Sequence, residues 1–130
     1  MKSYTDLEQS KKLAEILPLE SADSHYVRQT HDFRGNTVDG KWSHPKYGNP
    51  NSRYANYIVQ NFSSYETIPC WSLVALLGVL PYPSLHKTFS GWRCDSYNKE
   101  GTTCKLGESL DNPVDACYKM ILKLHELNLL

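Results

Sequence analysis

The end of this chain constrains its fold more than any other stretch. Asp111, Asn112 and Pro113 lead into Val114, Cys117, Tyr118, Ile121, Leu122, Leu124 and His125, an apolar stripe at helical spacing. Asn112 suits the cap, Pro113 the first helical position and Asp115 the third, where a negative charge complements the helix dipole. A helix with such a stripe must cover something, and nothing in it performs chemistry. Leu127, Leu129 and Leu130 beyond it complete either the core or a dimer contact, so monomer and homodimer both stay open.

A second helix is predicted from Thr67 and Pro69, with Pro69 in a first turn that has no acceptor for the missing amide proton. Trp71, Leu73, Val74, Leu76, Leu77 and Leu80 wrap most of its circumference, which predicts cover on more than one side, and Gly78 and Pro81 stop it. A shorter first helix starts from a Thr5 cap with Glu8 completing a capping box, shows Leu7, Ala14, Ile16 and Leu17, and ends before Pro18. Strands are predicted at His25 to Arg28 and near 55–62, where Tyr54, Tyr57, Ile58, Val59 and Phe62 suit a pleated surface. Leu85, Lys87 and Phe89 alternate with His86 and Thr88, and Trp92, Cys94 and Ser96 with Arg93, Asp95 and Tyr97. Asn98 to Gly101 then turns the chain into a return arm over Thr102 to Leu106. The class is α+β: a small antiparallel sheet of about three or four strands packed against two or three helices.

At 130 residues the chain predicts a single domain over 1–130, with an irregular excursion at about 19–53. There Gly35, Gly40, Pro45, Gly48 and Pro50 recur too often for a long regular element, while Phe33, Trp42 and Tyr47 pin the segment in place. A loop that long is functional or disordered, so the excursion is the place to look for a binding surface. Fourteen basic residues cancel fourteen acidic ones, which removes the whole-molecule field that would draw in a polyanion. With 40% apolar and 22% charged residues the sequence is too apolar for obligate disorder and too interrupted for a membrane span, so no membrane partner is expected. The opening MKSYTDLEQSKKLAEIL lacks the apolar core of a secretory signal, and the expected compartment is the cytoplasm.

No catalytic set assembles from these residues. Cys70, Cys94, Cys104 and Cys117 are spaced by 24, 10 and 13 residues, which fits neither a metal-binding pair nor a disulfide scaffold. Cys70 is the fallback nucleophile: in the first turn of the predicted helix, free amides would favour its thiolate, and His86 or His44 could approach as base. Its competing role is to plug an apolar helix beside Trp71. His25, His31, His44, His86 and His125 form no ligand motif, although His25 and His31 lie near Asp23 and Asp32; no metal and no cofactor are expected. The carboxylate pairs Asp23 with Asp32, Asp95 with Glu100, and Asp111 with Asp115 show nothing that would drive their pKa values apart. Gly35, Gly40 and Lys41 miss the spacing of a phosphate loop. What remains is aromatic: Trp42, Tyr47, Tyr54 and Tyr57 stand near Arg34, Lys41, Lys46 and Arg53 and are the candidate partner-binding residues. The same set could stack on single-stranded nucleic acid, a partner that the zero net charge disfavours.

The stretches Pro69-Cys70-Trp71-Ser72-Leu73-Val74-Ala75-Leu76-Leu77 and Asn112-Pro113-Val114-Asp115-Ala116-Cys117-Tyr118-Lys119-Met120-Ile121-Leu122-Lys123-Leu124 resemble small uncharacterised proteins carried by phages and integrated elements of Bacteroides-type gut bacteria. In those a Trp-Ser-Leu helix, an aromatic hairpin and a closing helix follow one another; a fainter likeness is to phage sandwich domains with helices flanking a sheet. The resemblance covers about residues 65–130 and the opening helix, leaves the excursion uncovered, and implies an accessory role in a mobile element or its host. It carries no catalytic residue. The function expected is therefore protein contact without catalysis, with a small cysteine- or histidine-dependent enzyme and a single-stranded nucleic-acid binder as alternatives.

Overall fold

The computed structural model describes residues 2–48 and 64–130. The strand predicted near 55–62 lies outside the described residues. The fold is α+β, with strands shared between two antiparallel sheets. Contacts gather into two compact units, Asp6–Trp71 on one hand and residues 2–5 with Ser72–Leu130 on the other. Among the described residues, no helix is long and apolar enough to cross a membrane.

The first unit opens with α1 (Leu7–Ile16). Its cap is Asp6, one residue after the expected Thr5: Asp6 Oδ1 accepts the Gln9 amide at 2.8 Å, and Gln9 returns the contact to the Asp6 amide at 3.1 Å. An aspartate and a glutamine thus fill the box predicted for threonine and glutamate, while Thr5 is fully buried. Ser10, Leu13 and Leu17 are buried, so the covered face turns away from the predicted Ala14 and Ile16. A 3₁₀ turn (Leu19–Ser21) leads to β1 (Ser24–Gln29), flanked by β2 (Lys46–Tyr47) and β3 (Tyr65–Cys70) in the order β2, β1, β3. Helix α1 packs on β3.

Strand β3 overturns the predicted helix start. Thr67, Ile68, Pro69 and Cys70 pair with Val27, Tyr26, His25 and Ser24, and the proline is tolerated because, among the described residues, its strand lies at the edge of this sheet. Trp71 ends the unit, fully buried, with its indole N–H donated to Ser21 Oγ at 3.0 Å.

As far as it is described, the excursion is held by backbone hydrogen bonds and by Trp42 against Arg28, and not by Phe33 or Tyr47. Val38 N–H reaches Thr30 O and Ser43 N–H reaches Val27 O, both at 2.9 Å, and Gly48 N–H reaches Asp23 O at 2.8 Å. Gly40 runs so close to β1 that a Cβ there would strike the Gln29 carbonyl. Phe33 and Tyr47 point outward.

In the second unit α2 (Leu73–Val79) is capped by Ser72, whose Oγ accepts the Ala75 amide at 3.2 Å. Beginning after Trp71, it is too short to be enclosed all round: Leu76 is buried, and Leu80 just beyond it, but Val74 is 77% exposed. Strands β4 (Ser84–Thr88) and β5 (Gly91–Tyr97) form a hairpin closed through Phe89 and Ser90. β5 continues its other edge with β6 (Cys104–Lys105) and β7 (Ser109–Leu110). Gly91 has a φ of +138° and lies so close to the Leu110 carbonyl that no side chain fits.

The closing helix α3 (Pro113–Glu126) is capped as its sequence requires, Asn112 Oδ1 accepting the Asp115 amide at 2.9 Å with Pro113 in the first turn. It packs on α2, β5 and β7, and buries Val114, Ala116, Cys117, Met120, Ile121 and Leu124. The stripe is rotated from the predicted one, since Met120 is inside and His125 outside. Lys2 Nζ meets Asp115 Oδ1 at 2.8 Å and ties the opening residues to this helix.

Candidate functional site

The two candidate aromatics within the described residues differ. Tyr47, in β2, is 89% exposed, whereas Trp42 is half-buried with the Arg28 guanidinium 5.1 Å above its ring. Arg28 is itself held by Glu66, its direct cross-strand partner, at 2.7 Å. Phe33, expected only to pack, is 93% exposed beneath Arg34. Tyr54 and Tyr57 lie outside the described residues.

Cys70 loses the basis on which it was a candidate nucleophile. It ends a strand instead of starting a helix, it is fully buried, and burial, reinforced by the nearby Asp23 charge, pushes its thiol up to about 12. Its cross-strand neighbour Ser24 is likewise buried. Tyr26 shares this environment, its phenol raised to about 12 by burial first and by Cys70 and Asp6 after it.

The histidines do not converge into a metal site, and among the described residues no three His, Cys, Asp or Glu side chains gather as a metal would require. His25 is nearly enclosed, its Nδ1 2.8 Å from the Gly48 carbonyl, and His31 is exposed beside Thr30 Oγ1 at 3.0 Å. His44 and His125 are exposed.

His86 alone joins a polar cluster, and hairpin register explains how. Ser84 faces Asp95 and His86 faces Arg93 across β4 and β5, so all four share one sheet face. Asp95 is 8% exposed at its side chain: Oδ2 takes Arg93 Nη2 at 3.1 Å and faces His86 Nε2 at 3.4 Å, while Oδ1 accepts the Gly107 amide at 2.9 Å. Ser84 Oγ lies 2.9 Å from the same His86 Nε2. Thr88 Oγ1 and Ser109 Oγ, 3.0 Å apart, extend the face. A hydroxyl, an imidazole and a carboxylate invite comparison with a nucleophile triad, but a triad places the carboxylate on one ring nitrogen and the hydroxyl on the other. Here both address Nε2, so the ring cannot take a proton from Ser84 while Asp95 steadies its far side. The cluster neutralises a nearly buried carboxylate and fixes the hairpin.

A second feature lies at the turn between α2 and β4. Tyr82 stands between Pro81 and Pro83 with a φ of +46°, a region bulky side chains rarely occupy, and is 74% exposed. Its ring meets Tyr97 edge to face, centroids 6.4 Å apart and planes at 88°. Tyr97 is 42% exposed, so the two rings form a fixed aromatic corner open to solvent.

No protein-family profile matches the chain, and no curated protein and no solved structure is significantly similar to it.

Proposed function

We propose that this chain is a non-enzymatic binding protein that engages a protein partner through exposed aromatic side chains, with the Tyr82 and Tyr97 corner as its anchor. The observation that carries this reading is Tyr82 itself. A tyrosine held at positive φ between two prolines costs of the order of 1 kcal/mol or more, and the ring it displays is mostly in water, so folding gains little in return. Strain kept at an exposed ring is readily understood if the ring is used. Two tyrosines already in fixed contact also lose little freedom on binding, the economy that favours aromatic anchors at interfaces.

Tyr47 and Phe33 supply further aromatic surface on the first unit. Single-stranded nucleic acid is a poorer match, because one face of Trp42 is covered by Arg28 and that cation is paired with Glu66. The enzyme reading has lost the helix-start thiol and has gained no triad. The accessory role in a mobile element rests on the resemblance described above.

A photoreactive phenylalanine analogue in place of Tyr82 tests the proposal in extracts of the organism that encodes the chain. The expected result is a discrete protein adduct that is missing when the analogue replaces Lys119 on the exposed side of α3. Tyr82→Gly should compete poorly for that adduct while melting within a few degrees of the wild type. Identical adducts from both positions would sink the proposal.

A further inference from the structure

A sheet edge is where one chain can pair with another, and the edges here are unequally guarded. Strands β2, β6 and β7 are each two residues long, and β3 carries Pro69. Strand β4 differs. Among the described residues it is the outer strand of its sheet, it runs for five residues without a proline, and it pairs with β5 residue for residue, with no bulge. Lysine commonly guards such an edge, but Lys87 Nζ lies 5.8 Å from the centre of the Trp92 ring, laid back across its own sheet. The hairpin also fixes which groups the edge offers. Phe89 and Ser90 make a two-residue turn, so Thr88 and Gly91 close it by bonding each other's main chain. Bonded and non-bonded pairs alternate along an antiparallel ladder; Ser84 and His86 therefore spend their amides and carbonyls on β5, while Leu85 and Lys87 turn theirs outward. Among the described residues no strand takes these up.

We propose that the open edge of β4 binds β4 of a second copy of this chain, antiparallel, about a two-fold axis through His86. The strand is complementary to itself in that register. Leu85 lies opposite the partner's Lys87, outward groups meet outward groups, and each such pair exchanges both main-chain hydrogen bonds. Ser84 lies opposite the partner's Thr88, and no two formal charges of the β4 strands stand directly opposite each other. Neighbouring registers are worse. An axis through Lys87 opposes two lysines, and an axis through Leu85 sets Lys87 against the partner's Pro83, which has no amide proton. An axis between residues sets outward groups against groups already bonded to β5. Phe89, fully exposed at the hairpin tip, follows Thr88 and so comes beside the partner's Pro83, which takes ring surface out of water. A two-fold contact of this kind closes on itself as a dimer. The proposal goes beyond the Tyr82 reading and does not rest on it.

Sedimentation equilibrium of the full chain from about 1 μM to about 1 mM tests the association, and a reversible dimer is expected. Lys87→Pro removes an outward amide at no cost to the β5 ladder, the kind of strand position that tolerates proline, and should weaken the dimer at least about tenfold while melting within a few degrees of the wild type. A covalent readout decides the matter if that variant fails to fold. With Cys104→Ser as background, His86→Cys sets two thiols across the axis in a non-bonded pair, Cα atoms about 4.5 Å apart and within disulfide reach. Oxidised glutathione should link two such chains, and should not link chains carrying Ser84→Cys, which faces the partner's Thr88. A chain that stays monomeric throughout, a dimer that a folded Lys87→Pro leaves as tight as before, or linking through position 84 in place of 86 would each overturn the proposal. A monomeric chain whose Tyr82 still takes a protein adduct fails here alone; a dimeric chain without that adduct fails the Tyr82 reading alone.

Discussion

The two units enclose cysteine in opposite ways. In Asp6–Trp71, Cys70 meets the carboxylate charge of Asp23 and no second thiol, and it resists ionisation. In the unit of Ser72–Leu130, Cys94 and Cys117 are both buried and shift in opposite directions: Cys117 holds the Cys94 thiol below its ordinary value, while Cys94 and burial push the Cys117 thiol up. Burial alone therefore does not fix the direction in which a thiol shifts. What matters is whether a donor is buried with it. The units also differ in cover: α1 contributes two buried side chains within its own span, α3 contributes seven.

The contrast in cover gives the largest expected effect. Ile121→Ala should cost about 3 to 4 kcal/mol, read in urea melts, and should strip hydrogen-exchange protection from α3 and β5 first. Equal and simultaneous loss in β1 and β3 would erase the distinction between the units. Next comes alkali. The Cys70 thiol ionises at about 12 when folded against an ordinary 9, so above pH 9 the unfolded chain releases its proton first and stability falls as pH rises. The loss should reach about 2 to 3 kcal/mol by pH 11 and be smaller by that amount in Cys70→Ala; parallel pH profiles for the two proteins would refute the assignment.

Smaller effects refine the picture. Asn112→Ala should cost about 1 kcal/mol through the freed Asp115 amide, and Asp6→Ala a similar amount, both followed by thermal melts. A negligible loss for Asp6 beside a full loss for Asn112 would mark α1 as the less cooperative helix. Smallest is Glu66→Gln, expected to cost at most about 1 kcal/mol because its ion pair with Arg28 is partly exposed, and to be masked by added salt.

How much of this was legible depended on how local each signal was. The α3 cap could be read directly, since Asn112, Pro113 and Asp115 act within one turn of each other. Pro69 could not. A proline suits both a first helical turn and an edge strand, and the choice was made by Tyr26, Val27 and Arg28 pairing with residues about forty positions later. The Asp95 cluster needed a register: weighed along the chain, Asp95 had Glu100 for a partner, whereas reading Phe89 and Ser90 as a tight hairpin puts it opposite Ser84. Tyr47 and Trp42 carry the same two expectations, packing and partner contact, and only the structure separates them: Arg28 covers Trp42 from β1, while Tyr47 stays exposed. Tyr82 left one sequence trace, its position between two prolines, and that pattern does not state a backbone angle.

Pro69 has one more effect. A strand on the rim of a sheet normally offers a row of amides on which a stray chain can crystallise, and here one rung of that ladder is a ring without a proton. Among the described residues, then, the outer ladder of β3 is broken near its end, where a second chain would find no amide to pair with.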